Sequence, residues 1–115
     1  MKKINIIKKN TEFARIIKTN NSYKTPSYII YIERGTMDNF HFGISVSKKI
    51  GNAVVRNKIK RQIKSIIDKK DYKKSFNCII IVRKNFPNNI YQENERELHE
   101  VFKKFKLFKE ETHEK

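Results

Sequence analysis

Residues 53–69 constrain the fold more than any other stretch of this chain. At about 100° per residue, Val55, Ile59, Ile63 and Ile66 fall in one sector, with Ile67 at its edge. Asn57, Lys60, Arg61 and Lys64 fall on the opposite side, with Arg56 beside them and Lys58 on the other flank. The pattern predicts a helix from about Ala53 to Lys69 with an apolar keel and an outward row of cations. Such a helix must lie on an apolar surface, and the rest of the sequence supplies one.

Asn77-Cys78-Ile79-Ile80-Ile81-Val82-Arg83 reads as a buried strand, apolar on both faces. Phe40, Phe42, Ile44 and Val46 alternate with His41, Gly43, Ser45 and Ser47, so one face of that strand is core and the other polar. Tyr28 to Ile32 is rich in β-branched and aromatic residues and predicts a further strand. Arg34 to Asn39 supplies a turn between these two strands, so the simplest pairing is an antiparallel hairpin.

Two more helices complete the order. Asn10 is placed to cap a short helix with Phe13, Ile16 and Ile17 as its apolar positions, ending near Asn20-Asn21. A last helix starts near Gln92, with Leu98, Val101, Phe102 and Phe105 as its stripe. The aromatic stripe Phe102, Phe105, Phe108 reads as core, and a polar tail follows Phe108. No repeat or linker divides the 115 residues, so one domain is expected. The expected fold class is α/β: a two-layer sandwich with one central, roughly four-stranded sheet and about three helices. The fourth strand falls either near Asn85 to Ile90 or within a segment otherwise read as loop.

Charge narrows the function. The formal net charge is +15. Eleven Lys or Arg lie between Lys48 and Lys74, opposed only by Asp68 and Asp71. A compact chain with this excess repels itself, and the excess is usually kept for a polyanion. The ordinary alternative is a solvated face, but such faces mix signs for i,i+4 pairing, and no Glu alternates with these cations. Arg offers a planar fork for phosphate, and Asn can bond a 2′-hydroxyl or a base edge. No apolar run approaches the ~20 residues of a membrane span. Met1 to Lys9 is like a signal peptide only in charge, so a cytoplasmic protein is expected.

Other chemistries find little support. Cys78 is the one cysteine and sits in an apolar strand as an inert core residue. His41, His99 and His113 have no ligand spacing, and no P-loop motif occurs. Asp38, Asp68 and Asp71 form no carboxylate set for two-metal nuclease chemistry. No catalytic or metal-ligating residue is assigned to the protein. A general RNA-binding or ribosomal-type protein fits the charge. A DNA-binding helix would normally bring a helix-turn-helix or dimer element.

The stretch Phe42 to Lys64, FGISVSKKIGNAVVRNKIKRQIK, resembles the bacterial ribonuclease P protein subunit. At its centre, Arg56-Asn57-x-x-Lys60-Arg61 matches that family's Arg-Asn motif. Lys8 to Phe13 and Ile79 to Arg83 are similar to its N-terminal segment and to the strand after its basic helix. The resemblance implies a left-handed βαβ crossover through the basic helix. It implies contact with ribonuclease P RNA at Lys48, Lys49, Arg56, Asn57, Lys60, Arg61 and Lys64, with Asn52 and Lys58 in the same surface. Lys64 stands where the family usually has Arg. The resemblance also implies a cleft for the single-stranded 5′ leader of precursor tRNA, at Phe13, Ile17, Tyr31 and Ser45, with Ile17 in place of a usual aromatic. Catalysis would belong to the RNA and to Mg2+ held mainly by that RNA. No obligate protein partner is implied.

Overall fold

The computed structural model describes residues 5–35 and 38–109. The elements run α1 (Asn10–Thr19), β1 (Ser22–Lys24), β2 (Tyr28–Arg34), β3 (Phe40–Ser45), α2 (Ala53–Asp68), β4 (Phe76–Val82) and α3 (Tyr91–Lys104). The strands form one sheet in the order β1-β2-β4-β3.

The expected hairpin of β2 with β3 does not form. β4 lies between them, antiparallel to β2 and parallel to β3. The reason is the two-sided apolarity of β4: Cys78, Ile79 and Ile80 are all fully buried, which only a central strand allows. An edge position would have left one side of that strand's backbone bare. β3 and β4 form a parallel pair joined through α2, the crossover unit that parallel neighbours require.

The fourth strand is Ser22–Lys24, inside the segment read as loop, and pairs antiparallel with β2. The alternative site near Asn85 is a 3₁₀ turn, Phe86–Asn88, because Pro87 has no N–H to give a ladder. Asn10 is not a cap. It is the first helical residue of α1, Lys9 precedes it, and no side chain caps that end.

α2 and α3 cover one face of the sheet. Ile59, Ile63, Ile66 and Ile67 of α2 join Leu98, Val101 and Phe102 of α3 against Tyr28, Ile30, Phe42, Cys78 and Ile80. Each fully buried side chain of this size contributes roughly 1.5–3 kcal/mol relative to exposure. The keel of α2 starts one turn later than its periodicity predicts. Val55 is 39% exposed, whereas Ile67, expected at the edge, is fully covered. Phe102 and Phe108 pack edge-on, and Phe105 meets Tyr23, so the aromatic stripe is core as expected. Leu107 is buried, and the chain then runs back beside Tyr72, with Lys109 N–H donating to the Asp71 carbonyl. Thr36 and Met37 of the expected turn, and the tail from residue 110, lie outside the described residues.

α1 packs on the opposite face. Ile16 is fully buried there, and Phe13 lies over Gly43 of β3. Residues 5–7 extend the sheet edge: Ile6 pairs with Phe42, and Asn5 Nδ2 donates to the Phe40 carbonyl at 2.7 Å.

Candidate nucleic-acid interface

The start of α2 is set by Asn52. Its side-chain oxygen accepts from Val55 N–H at 3.0 Å, and its carbonyl accepts from Arg56 N–H at 2.9 Å. Asn52 is therefore a helix cap, with one oxygen already engaged by the backbone. From this fixed start the helical repeat places Arg56, Lys60 and Lys64 along one side at intervals of about 6 Å. Asn57, Lys58 and Arg61 are exposed, as are Lys48 and Lys49 before the helix. Arg56 is half-buried, and its Nε is buried without a hydrogen-bond partner.

A groove of about 950 Å³ runs between α1, the β3 edge and α2. Phe13, Ile17 and Ser45 line it, three of the four expected cleft residues. Lys60 and Lys64 line it too, so the basic helix forms one wall of the groove. Lys8 adds a third cation, and none of the described lining residues is acidic.

Tyr31 stands apart. It shares a sheet face with Ile79 and Gly43 but sits on β2, two strand spacings (about 9.6 Å) from β3. It is half-buried and not in the lining of this groove. Ile44, Val46 and the N-terminal Ile6 and Ile7 line the groove without having been expected there. The alternation of β3 marked Ile44 and Val46 as core, and only their position on an edge strand gives them a second surface.

A polar chain ties α1 to the sheet beside the groove. Arg15 donates to Glu33 through both terminal nitrogens, at 2.6 and 3.0 Å, and to Glu12 at 3.0 Å. Asn77 donates to Glu33 at 2.9 Å, and its amide oxygen meets His41 Nδ1 at 2.9 Å. The Arg15 fork, helped by the Asn77 amide, holds the Glu33 carboxyl below its ordinary value. Glu33, then Glu12, push the Arg15 guanidinium up. No sequence rule flags this set, because its members lie on α1, β2, β3 and β4.

Among the described residues, no three His, Cys, Asp or Glu side chains converge where an ion could be held. Burial pushes the Cys78 thiol up, which leaves it a poor nucleophile or ligand. No described helix is long and apolar enough to cross a membrane.

The profile of the family described as Ribonuclease P matches residues 1–106. This chain belongs to the ribonuclease P protein family. A ribonuclease P protein component from Mesoplasma florum is 40% identical, over 91% of this chain and 98% of that one. One from Bacillus mycoides is 44% identical over 90% and 93%. A Staphylococcus aureus RNase P protein mutant superposes with a TM-score of 0.83 at 37% identity, covering 92% of each chain. The Thermotoga maritima RNase P protein gives 0.73 at 26% identity, over 81% of this chain and 90% of that one.

Proposed function

We propose that this ribonuclease P protein binds the catalytic RNA of the enzyme through the exposed side of α2. We propose equally that it holds the single-stranded 5′ leader of precursor tRNA in the groove between α1, β3 and α2. It thereby assists Mg-dependent removal of the leader in the cytoplasm, with hydrolysis carried out by the RNA and its magnesium. One observation carries the reading: Phe13 and Ile17 share a groove with Lys60 and Lys64. An aromatic platform beside a row of cations is the chemistry that single-stranded RNA requires, because every base has a stackable face and every linkage a charge.

The roles divide by position. Phe13 can stack a base at about 1–3 kcal/mol. Ile17 offers apolar contact without stacking. Lys60 and Lys64 neutralise phosphates in the groove, while Asn57, Lys58 and Arg61 face outward to the catalytic RNA with Lys48 and Lys49, and half-buried Arg56, on the same side of α2 as Lys60, adds its charge to that surface. Lys64 attracts phosphate as a point charge, without the paired hydrogen bonds an Arg would make.

The test is cleavage of a precursor tRNA by the cognate ribonuclease P RNA at low magnesium, with and without this protein. Correct 5′ cleavage is expected only when both are present, with the protein alone inert. Phe13→Ala is expected to weaken leader-bearing substrate more than mature tRNA. RNA binding without any stimulation of cleavage would instead make this a general RNA-binding protein.

A further inference from the structure

The exposed side of α2 and the groove beside it hold only part of the cationic excess. A second concentration lies past the C-terminal end of α2. Residues 69–74 and 103–109 hold eight lysines against Asp71 alone. The fold brings these two segments together. Lys73 N–H donates to the Leu107 carbonyl and Lys109 N–H to the Asp71 carbonyl, each at 2.9 Å, and Tyr72 bridges to Phe108 antiparallel. Tyr72 and Leu107 are buried beneath, so the surface rests on the core.

Some of these lysines are occupied. Lys69 pairs with Glu95, Lys70 lies over the Phe108 ring and Lys104 over the Tyr23 ring. Lys74, Lys103, Lys106 and Lys109 are exposed, and no ion pair among the described residues engages them. Like charges gathered this way repel unless a polyanion neutralises them. Lys106 is also held under strain. It closes α3 in a Schellman turn, its N–H on the Lys103 carbonyl at 3.1 Å and Leu107 N–H on the Phe102 carbonyl at 3.0 Å. Its φ is 57°, in the left-handed region where glycine is the unstrained residue. Strain of this kind collects at functional surfaces.

The chemistry selects the ligand. Neither segment contains Arg, so no planar fork is present to grip one phosphate or base edge by two bonds. Tyr72 is buried and Phe108 is half-buried under Lys70, so these rings offer no open platform for a base. Point charges without a stacking surface suit the phosphates of a duplex, whose bases are hidden, and not a single strand. Position selects the source. Residues 69–74 follow α2 directly, and Tyr72 packs in the core on the α2 and α3 side of the sheet, whereas α1 and Phe13 lie on the other face.

We infer that this lysine surface takes the phosphate backbone of a duplex in the catalytic RNA, as a contact separate from the Arg-Asn side of α2. The inference rests on the catalytic-RNA reading proposed above.

The experiment uses the full chain and the cognate RNA, and measures two affinities across a salt series: protein for catalytic RNA, and holoenzyme for precursor and mature tRNA. Lys106→Gly is expected to melt at or above wild type, because glycine takes this backbone freely. It should nevertheless weaken assembly about threefold and flatten its salt slope by about 0.9, the loss of one duplex phosphate contact. Lys106→Arg keeps the charge and assembles as wild type. Lys74→Ala, Lys106→Gly and Lys109→Ala combined should weaken assembly about tenfold or more and flatten the slope by about 2.7. The preference of the holoenzyme for leader-bearing over mature tRNA stays at the wild-type value. Wild-type assembly by the triple variant would overturn the inference. A loss confined to tRNA binding would overturn it too, by assigning the surface to the tRNA body. Arg61→Ala in the same series tests the underlying reading: a wild-type affinity and salt slope there would overturn the role of α2, while the lysine surface is judged by its own variants.

Discussion

Gly43→Ala tests how α1 is seated over the sheet. A methyl group at residue 43 would lie 2.6 Å from Phe13 Cζ, 3.0 Å from Phe13 Cε2 and 2.8 Å from Ile79 Cδ1. The Phe13 ring tip is half-buried and can swing, whereas Ile79 is fully buried and has less room. Overpacking of this kind costs about 1–3 kcal/mol. Replacing a strand glycine returns roughly 0.5–1 kcal/mol by lowering the entropy of the unfolded chain. The net expectation is a loss of about 1–2 kcal/mol. With an unfolding entropy near 2.1 cal/mol/K per residue, that lowers Tm by about 4–8 °C for a chain this size. The assay is thermal unfolding of wild type, Gly43→Ala, Phe13→Leu and the double variant. Leucine lacks the ring tip, so the double variant should recover about 1 kcal/mol of coupling. Strict additivity, or a Gly43→Ala melting point at or above wild type, would show that Phe13 does not rest on Gly43. Because Phe13 also lines the groove, Gly43→Ala should weaken leader-bearing substrate more than mature tRNA.

Acid should loosen α1. The Glu33 carboxyl sits below its ordinary value, so its contribution is complete above about pH 4.3, the unfolded value. That contribution fades as pH falls through the lower native value, and Glu33→Gln should remove this acid limb from melts taken between pH 7 and 3. Arg15 is 46% exposed, so the effect at neutral pH should be small. Cys78 is fully buried with its thiol pushed up. It should resist an aromatic disulfide reagent in the native protein and react promptly in denaturant, and prompt native reaction would place it outside the core.

The helices were legible because period 3.6 survives any tertiary context. α2 was predicted as Ala53 to Lys69 and is found at Ala53–Asp68. Strand pairing was not legible by chain proximity. The short connection between β2 and β3 suggested a hairpin, but the sequence held the contrary signal in the two-faced apolarity of Cys78 to Val82. Only a central position satisfies that run. β1 escaped notice because three residues, Ser22–Lys24, are too few to show a period. Phe13, Ile17 and Ser45 line one groove, and Lys60 and Lys64 join them because β3 is an edge strand and α2 passes beside it. The Arg15–Glu33 tie was illegible: its members are 18 residues apart, and nothing in either local pattern requires the other.

The sheet order has a consequence for how the protein is made. β4 is the middle of the sheet in space but the last strand in the chain. As synthesis proceeds, β2 and β3 emerge first and have no common partner until residue 82 is clear of the ribosome. The segment that must be spanned meanwhile, residues 46–75, is the one that carries the cationic helix. Only the local β1–β2 pairing is available before that connection closes, and closing so long a connection before β4 can pair slows assembly, as non-local sheets generally show. A chain halted at residue 75 would retain every cation of α2 yet lack the strand that holds β2 and β3 together. It would be a charged ribbon without the strand that forms the floor between β2 and β3.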